Sequence, residues 1–310
     1  MRTPQRAQLS GLPDRVQVYE VGPRDGLQNE SEVLGASVKV DFIRRLIAAG
    51  LSAVELTSFV SPTWVPQLAD AEEVMAALGA LPGRHPVLVP NARGLERALA
   101  CGATEIAVFA SATESFAARN LNSTVAESLA TFAAIVARAE DAGVAARGYV
   151  SMCFGDPWEG EVAVGQAAAV ASELAAMGCH EVSLGDTIGV ATPGQVVDLL
   201  AALEGRGVGT DRLAVHFHDT FGQALANTLV ALQHGVTTVD ASAGGLGGCP
   251  FAGSATGNLA TEDLVWQLHG LGIATGVDLE SLCRTSLWIA GLLGRPSPSR
   301  AVQAIGPTLV

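Results

Sequence analysis

The 310-residue sequence predicts an α/β fold in which eight β-strands alternate with helices. Short runs rich in β-branched and aromatic residues recur along the chain, and a turn signal follows each run. A longer alanine- and leucine-rich segment of helical character comes next. Such alternation indicates parallel strands, and eight strand-helix units are the number that closes a (β/α)₈ TIM barrel.

The predicted strands start at Val16, Ala53, Pro86, Glu105, Arg147, Glu181, Leu213 and Thr237, in the runs VQVYEV, AVELTSF, PVLVPN, EIAVFAS, RGYVSMCF, EVSLGD, LAVHFHD and TTVDASAGG. Several of the segments between them end in glycine, as helix C-termini often do. These helical segments include SVKVDFIRRLIAAG, LERALACG, VAESLATFAAIVARAEDAG, QAAAVASELAAMG, PGQVVDLLAALEGRG and ALANTLVALQHG.

A single domain is expected over residues 1–310, because no low-complexity tract or Pro/Ser-rich linker divides the chain. The barrel is predicted at about 16–270, with a C-terminal helical extension at about 271–310. A doubly wound open sheet is the alternative. Polar residues at or just past the carboxyl ends of the strands favour the barrel, where those ends meet on one face. They are Arg24, Asp25, Glu55, Asn91, Ser111, Asp186, His216, His218 and Asp219.

The formal net charge of −13 argues against nucleic acid or an anionic membrane as a partner, because both are polyanions that bind clustered Lys and Arg. The first ten residues lack the apolar segment of a secretory signal. Five scattered cysteines without CxxC spacing fit reduced thiols. These features predict a cytoplasmic protein, with a short transit peptide as the alternative.

The strongest local motif is AVHFHDT. Alternate side chains along a strand share a face, so His216 and His218 point the same way and Phe217 points the other way. Two neighbouring imidazoles suit a divalent metal, although a hydrogen-bonded structural pair is the alternative. Asp25 and Asn258 are the best candidates for oxygen ligands. A mixed N/O set with open positions suits Mg²⁺ or Mn²⁺ better than structural zinc.

The stretch VYEVGPRDGLQNE places Arg24 beside Asp25 between a proline and a glycine. Arginine at this position would stabilise an oxyanion or enolate while Asp25 holds the metal. A surface ion pair is the alternative. Glu55, at the end of the second strand, is predicted to hold Arg24 by a bidentate pair.

The segment AGGLGGCPFAGSATGN, residues 243–258, contains six glycines and Cys249. Such a backbone can fold over a ligand, and a cysteine within it could serve as acid, base or nucleophile. A flexible loop with an inert thiol is the alternative. A metal, an arginine and a thiol together suit carbon-carbon bond chemistry through an enolate. The only lysine, Lys39, lies off the strand ends, so a Schiff-base mechanism is excluded.

From about Val16 to Val277 the sequence resembles the hydroxymethylglutaryl-CoA lyases, a metal-dependent TIM-barrel lyase family. The motifs that carry the resemblance are EVGPRDGLQNE, SFVSPTWVPQLAD, RGYVS, EVSLGDTIGV, HFHDT, GQALANTL and GLGGCPFA. The related Claisen-type synthases have RDGEQ and HxHND instead.

The resemblance implies cleavage of (S)-3-hydroxy-3-methylglutaryl-CoA to acetoacetate and acetyl-CoA, a step of leucine degradation and ketone-body metabolism, by a homodimer. It implies that the cation is bound by Asp25, His216, His218 and Asn258. It implies that Arg24 contacts the substrate and stabilises the enolate while Cys249 exchanges the proton, and the other catalytic residues it implies are Asp25, His216 and Glu55. It also implies that Glu55 supports the active site and that Gln28 and Asp186 lie beside the substrate. Many members have a lysine where this chain has Ser31, so Arg93 or Arg119 is the candidate cation for the CoA end.

The sequence is compatible with three alternatives. The first is the same chemistry on a larger 3-hydroxy-3-alkylglutaryl-CoA, such as the isohexenyl compound, because the size of the pocket is not readable from the sequence. The second is a Claisen-type acyl-CoA/2-oxo acid synthase. The third is a non-catalytic protein that binds metal or acyl-CoA.

Overall fold

The computed structural model describes residues 2–248 and 257–309. Its strands are β1 Gln17–Glu20, β2 Ala53–Val54, β3 Thr57–Ser58, β4 Val87–Leu88, β5 Glu105–Ser111, β6 Ala145–Ser151, β7 Gly155–Asp156, β8 Gly160–Glu161, β9 Glu181–Asp186, β10 Leu213–Phe217 and β11 Thr238–Ala241. Its α-helices are α1 Ala36–Ala48, α2 Ala71–Leu78, α3 Ala92–Ala100, α4 Glu114–Leu121, α5 Val125–Asp141, α6 Val164–Ala176, α7 Pro193–Glu204, α8 Ala224–Gln233, α9 Thr261–Gly270, α10 Leu279–Leu292 and α11 Arg300–Ile305.

Nine of the strands form one curled parallel sheet in the order β2-β1-β11-β10-β9-β6-β5-β4-β3. The predicted α/β class with parallel strands is confirmed, and each of the eight predicted runs contains a strand. The second run contains two short strands, because Glu55 and Leu56 separate β2 from β3. The two end segments of the sheet are therefore only two residues apart in the chain. Segment β2 pairs with β1, and β3 pairs with β4.

Apolar side chains form two clusters on opposite faces of the sheet. The larger cluster packs strand residues such as Val108 and Val150 against the helices. The smaller one lies on the concave face and includes Tyr19, Leu88 and Tyr149. Residues of β6 alternate between the two clusters, as the period-2 geometry of a strand requires.

Local signals fix the helix ends. Helix α5 begins with a capping box, in which the Thr124 hydroxyl accepts from the Glu127 amide and the Glu127 carboxylate accepts from the Thr124 amide. After α1 the chain turns at Gly50, whose φ is +99°. A Cβ there would lie 2.1 Å from the carbonyl oxygen of Gly276, so no other residue fits.

The predicted segments did not include helices α2 and α4 or the antiparallel β7–β8 hairpin. Helices α2 and α4 have only eight residues each, which gives little periodicity to read from the sequence. Among the residues that the structure describes, no helix is both long enough and apolar enough to cross a membrane.

Candidate active site

A cavity of about 640 Å³ opens at the carboxyl ends of the strands. Among the residues singled out from the sequence, those that line it are Arg24, Asp25, Gln28, Asn91, Arg119, His216 and His218. Glu55, Ser111 and Asp186 are buried away from its wall. Asp219 instead lines a second cavity of about 300 Å³, where Asn258 also lies.

Asp25, His216 and His218 form a compact cluster at the cavity wall. One potential ligand atom from each residue lies within 4.8 Å of those of the other two. Strand β10 positions the histidines on one face, while Phe217 points outward and packs 6.3 Å from the Phe154 ring. The geometry therefore brings together the three residues whose pattern predicted a metal site.

Asn258 adjoins this cluster. Its amide nitrogen donates to Asp25 Oδ2 at 2.8 Å and to the Leu246 carbonyl oxygen at 3.0 Å. Its Oδ1 is buried and has no hydrogen-bond partner among the described residues. Because both amide hydrogens are used, Oδ1 is left as a lone-pair donor, and the set of one carboxylate, two imidazoles and one amide oxygen fits a divalent cation.

The charge states of the cluster also suit a cation. Burial acts to raise the pKa of Asp25, but Arg24 and the two histidines outweigh it and lower that pKa to about 2. Burial and the neighbouring His216 lower the pKa of His218 to about 4. At neutral pH Asp25 is therefore ionised and His218 is neutral, which are the forms that bind metal.

Arg24 lies in a π-helical turn, Gly22–Gly26, whose amides at positions 24, 25 and 26 all donate to the Val21 carbonyl oxygen. Its Nε donates to Glu55 Oε2 at 2.7 Å, and its Nη1 donates to Asp25 Oδ1 at 2.7 Å. The predicted bidentate pair with Glu55 is wrong in this detail, because the guanidinium divides its donors between two carboxylates. These carboxylates raise the pKa of Arg24 further, against the effect of burial.

Glycines on either side of Arg24 allow the turn to pack closely. A Cβ on Gly26 would lie 2.8 Å from both Leu246 Cβ and Ser242 Oγ. A Cβ on Gly22 would lie 2.6 Å from Glu20 Oε1. The turn that presents Arg24 and Asp25 therefore touches the segment after β11 without room for side chains.

Asp186 holds the loop after β9. Its two carboxylate oxygens accept from the amides of Val190 at 2.9 Å and Ala191 at 3.0 Å. Burial raises the pKa of this carboxyl to about 6, although the amides act against it. The side chain thus organises the cavity edge, and its contact with substrate stays a prediction.

A chain of stacked cations and rings fills the concave face beneath the cavity. The Arg147 guanidinium carbon lies 3.9 Å from the Tyr19 ring centre and 4.7 Å from that of Tyr149. The Arg84 guanidinium carbon lies 5.6 Å from the Tyr19 ring centre, and that of Arg24 lies 5.4 Å from the Tyr149 ring centre. We call these five residues the Arg-Tyr stack. Apart from Arg24, none of them was singled out from the sequence.

Carboxylates surround the Arg-Tyr stack. Arg147 donates from Nε to Glu181 Oε1 at 2.7 Å and from Nη2 to Asp240 Oδ1 at 2.6 Å. The Tyr149 hydroxyl donates to Glu55 Oε2 at 3.1 Å, the same oxygen that Arg24 contacts. Glu55 is therefore fixed by two donors and in turn fixes the guanidinium at the cavity wall.

Two further buried carboxylates hold the loops beside the site. Glu20 Oε1 accepts from the amides of Gly22 and Ala243, both at 2.8 Å, so it joins the loop after β1 to the loop after β11. Glu262 accepts from the Gly244 amide at 2.9 Å and also from the Ser286 hydroxyl. Burial raises the pKa of Glu20 to about 7 and that of Glu262 to about 8.

Cys249 lies outside the described residues. Gly248, which precedes it, lines the cavity, and the Asn29 side chain donates to the Gly248 carbonyl oxygen at 2.8 Å. The four described cysteines form no disulfide. Burial raises the pKa of Cys153, Cys179 and Cys283 to about 12, so these thiols are protonated at neutral pH.

The basic residues singled out from the sequence differ in their position relative to the cavity. Lys39 is buried on α1, and its Nζ donates to Asp70 Oδ1 at 2.6 Å, away from the cavity. Arg119 lines the cavity and lies 4.3 Å from the Trp158 ring centre, whereas exposed Arg93 does not reach the cavity. The other four histidines, His85, His180, His234 and His269, also lie away from it.

The profile of the HMGL-like family matches residues 15–289. The chain belongs to the HMGL-like family. This HMGL-like chain is 54% identical over 296 residues to the mitochondrial hydroxymethylglutaryl-CoA lyase of Arabidopsis thaliana, with 95% of the chain and 63% of that protein covered. It is 50% identical over 305 residues to the mitochondrial enzyme of Homo sapiens, with 98% and 94% covered. A cytoplasmic 3-hydroxy-3-methylglutaryl-CoA lyase of Rattus norvegicus is 48% identical, with 96% and 87% covered.

Solved structures agree with this assignment. The hydroxymethylglutaryl-CoA lyase of Pseudomonas aeruginosa superimposes with a TM-score of 0.93 at 46% identity, covering 96% of this chain and 99% of that one. The lyase of Acinetobacter baumannii, solved with coenzyme A and 3-methylmalate, gives 0.89 at 36% identity, with 96% and 97% covered. The carboxyl transferase domain of Rhizobium etli pyruvate carboxylase, at 20% identity and a TM-score of 0.67, shares the fold alone.

Proposed function

We propose that the protein cleaves (S)-3-hydroxy-3-methylglutaryl-CoA to acetoacetate and acetyl-CoA. The observation that supports the proposal is the arrangement of side chains in the cavity wall. There the buried guanidinium of Arg24 lies beside the Asp25, His216 and His218 cluster. The chain that builds this wall is about half identical to hydroxymethylglutaryl-CoA lyases over nearly its full length. The likeness does not favour a Claisen-type synthase or an isohexenyl-specific enzyme.

Arg24 is proposed to stabilise the enolate of acetyl-CoA. When the bond between C2 and C3 of the substrate breaks, its electron pair moves toward the thioester carbonyl oxygen. The C3 hydroxyl gives its proton to water in the cavity and becomes the ketone of acetoacetate. The Arg24 Nε and Nη1 donate to carboxylates, while no hydrogen bond within the described residues uses Nη2. Arg24 lines the cavity, and a guanidinium with an N–H group to spare suits a developing oxyanion.

Asp25, His216, His218 and Asn258 are proposed to hold a divalent cation, Mg²⁺ or Mn²⁺. When bound, such a cation supplies Lewis-acid polarisation of the hydroxyl and carbonyl oxygens of the substrate. The unpartnered Oδ1 of Asn258 and the ionised Asp25 support this set. Gln28 is proposed to contact the substrate, because its buried Oε1 also has no partner among the described residues and the side chain lines the cavity.

Cys249 is proposed to give a proton to the enolate carbon, which yields acetyl-CoA. It directly follows Gly248, a residue of the cavity wall. Arg119 is proposed to meet the phosphates of CoA in place of the lysine that many relatives have at the position of Ser31. Asp186 and Glu55 are proposed to keep the cavity edge and Arg24 in place, as their hydrogen bonds suggest.

The first experiment is a coupled assay for acetoacetate release, run after chelation and again after Mg²⁺ or Mn²⁺ is returned. We expect metal-dependent turnover that falls about 10²- to 10³-fold in Arg24→Met, the usual cost of losing an oxyanion donor. Cys249→Ala should lose turnover while it retains metal binding. Arg93→Met is the matched control, since Arg93 is an exposed arginine away from the cavity.

Two results would contradict the proposal. Turnover that survives complete chelation would remove the metal from the mechanism. Absence of turnover by a folded, metal-loaded protein would redirect the search to larger acyl-CoA thioesters, or to condensation of acetyl-CoA with a 2-oxo acid. The first is tested by release of acetyl-CoA or of the corresponding oxo product from the larger thioester, and the second by release of free CoA.

We further infer that the curled sheet closes into an eight-stranded barrel, with a C-terminal helical extension from about residue 271. Residues 53–58 support closure, because the Glu55 amide donates to the Glu20 carbonyl oxygen on one side and the Leu56 amide donates to the Pro86 carbonyl oxygen on the other. A homodimer and a cytoplasmic location are also proposed. Light scattering on the purified protein and cell fractionation test these two points.

A further inference from the structure

Asp240 lies directly beside the metal-site histidine His216. The two are register partners on the adjacent parallel strands β11 and β10. Asp240 Oδ2 lies 3.4 Å from His216 Nδ1. This ring nitrogen is buried and has no hydrogen bond of good geometry with any described residue. Asp240 is the described carboxylate that lies within ion-pair distance of it.

The Asp240 carboxylate is rigidly held. Arg147 donates to both of its oxygens, from Nη2 at 2.6 Å and from Nη1 at 3.2 Å. The Ser183 hydroxyl donates to Oδ2 at 2.8 Å. The carboxylate is therefore paired with the buried Arg147 guanidinium and is a fixed acceptor opposite His216.

The position of this acceptor decides which nitrogen of the ring carries the proton. A proton on Nδ1 meets a carboxylate, whereas a bare lone pair on Nδ1 would face that same negative oxygen. The first arrangement is favoured, and it leaves Nε2 unprotonated. Since His216 lines the cavity beside Asp25 and His218, Nε2 is the nitrogen available to a cation.

We propose that Asp240 is a positioning residue that accepts the Nδ1–H of His216 and thereby presents Nε2 to the metal. The proposal rests on the metal site of the proposed function, but not on the reaction. Carboxylates that orient a metal-bound histidine typically affect metal affinity by 10- to 100-fold. Ser183 and Arg147 would act through Asp240, since within the described part of the chain neither has a hydrogen bond to a proposed metal-binding residue.

The first test uses the unaltered protein. Long-range ¹H–¹⁵N spectra of protein with labelled histidine, with and without Mg²⁺, distinguish a proton on Nδ1 from one on Nε2. We expect the Nδ1–H form of His216 in both samples. The Nε2–H form would overturn the proposal. This measurement needs no substrate and no variant, so it stands even if a substitution at Asp240 prevents folding.

The second test compares Asp240→Asn with Glu181→Gln by calorimetric titration of Mn²⁺. Both variants take one carboxylate from Arg147, but among the hydrogen bonds and ion pairs of the described residues none joins Glu181 to His216. In Asp240→Asn, Arg147 holds the amide oxygen, so the NH₂ group faces Nδ1 and favours the wrong tautomer. We expect about 10- to 100-fold weaker Mn²⁺ binding in Asp240→Asn and unchanged binding in Glu181→Gln.

The outcomes separate the two levels of the argument. Equal affinity in Asp240→Asn and the unaltered protein, or equal weakening in both variants, would overturn the positioning role while the metal site stands. Absence of Mn²⁺ binding by the unaltered protein would overturn the metal site and the positioning role together. Retained Mn²⁺ binding without lyase turnover would overturn the proposed reaction alone.

Discussion

Replacing Arg147 by methionine tests whether the buried charges are as costly to disturb as their geometry implies. Arg147 is fully buried, and three of its N–H groups donate to Glu181 and Asp240 at 2.6 to 3.2 Å. Methionine keeps much of the packing between Tyr19 and Tyr149 but leaves two buried carboxylates without their main counter-charge. Breaking a buried ion pair in this way costs about 3–5 kcal/mol.

Loss of stacking on the two rings adds to that cost, because a desolvated cation-aromatic contact contributes up to about 2 kcal/mol. These contributions are not additive, so we expect a decrease of about 4 kcal/mol in the free energy of unfolding. That decrease is about a thousandfold in the folding equilibrium. Urea unfolding followed by circular dichroism measures it, with the m-value checked for an unchanged denatured state.

Two variants serve as controls for this prediction. Arg84→Met removes an arginine whose side chain is 26% exposed, so we expect a loss of only about 1 kcal/mol. Adding Glu181→Gln and Asp240→Asn to Arg147→Met should recover much of the lost stability, since no uncompensated charge then remains. A single Arg147→Met variant as stable as Arg84→Met, or a triple variant no better than the single one, would refute the reasoning.

Three further predictions concern other parts of the molecule. Burial raises the pKa of Glu262 to about 8 against 4.5 in the unfolded chain, so its contribution to stability is fully present below about pH 4.5 and is lost as pH rises through about 8. The urea midpoint of unfolding should therefore fall less with rising pH in Glu262→Gln than in the unaltered protein, and an equal fall would contradict this. In Gly247→Ala the new Cβ would lie 2.6 Å from Asn258 Nδ2, at a residue whose φ is +106°, so Mn²⁺ binding measured by calorimetry should weaken. The control Gly222→Ala, which has open space around it, should bind Mn²⁺ as the unaltered protein does. Borohydride added during turnover should not inactivate the enzyme, because Lys39 is held by Asp70, and a reduced adduct found by mass spectrometry would reject this.

The sequence predicted the strands well because their signal is local. Each predicted run contains a strand of the parallel sheet, and the residues just past β1 and β10 meet at one cavity. The break between β2 and β3 at Glu55 and Leu56 was not predictable from composition. It depends on which neighbouring strand each half of the run pairs with, and that is a tertiary property.

The Arg-Tyr stack was missed although its signal is in the sequence. The period-2 rule that placed His216 and His218 on one face also places Arg147 beside Tyr149, and Asp240 beside Ser242, on shared faces of their strands. Applied to every strand, it would have flagged a polar interior. It could not have given the pairing of Arg147 with Asp240, because 93 residues separate them in the chain.

The roles of Asp186 and Glu262 were beyond sequence reasoning for another reason. Both carboxylates accept from backbone amides of loops, and backbone partners leave no trace in the residue types. Asp186 was correctly singled out as polar at a strand end. Its oxygens face the loop rather than the cavity because the chain turns back over it at Val190 and Ala191.

The Arg-Tyr stack also bears on how the chain is made. Arg147 emerges from the ribosome long before Asp240, which lies in β11, the last described strand along the chain. A nascent chain therefore lacks one of the two carboxylate partners of Arg147 for about 93 residues of synthesis. An incomplete sheet would have to bury that cation with Glu181 alone. Folding is therefore expected to wait for β11, and truncated chains that end before it should be recognised by proteases rather than persist as stable fragments.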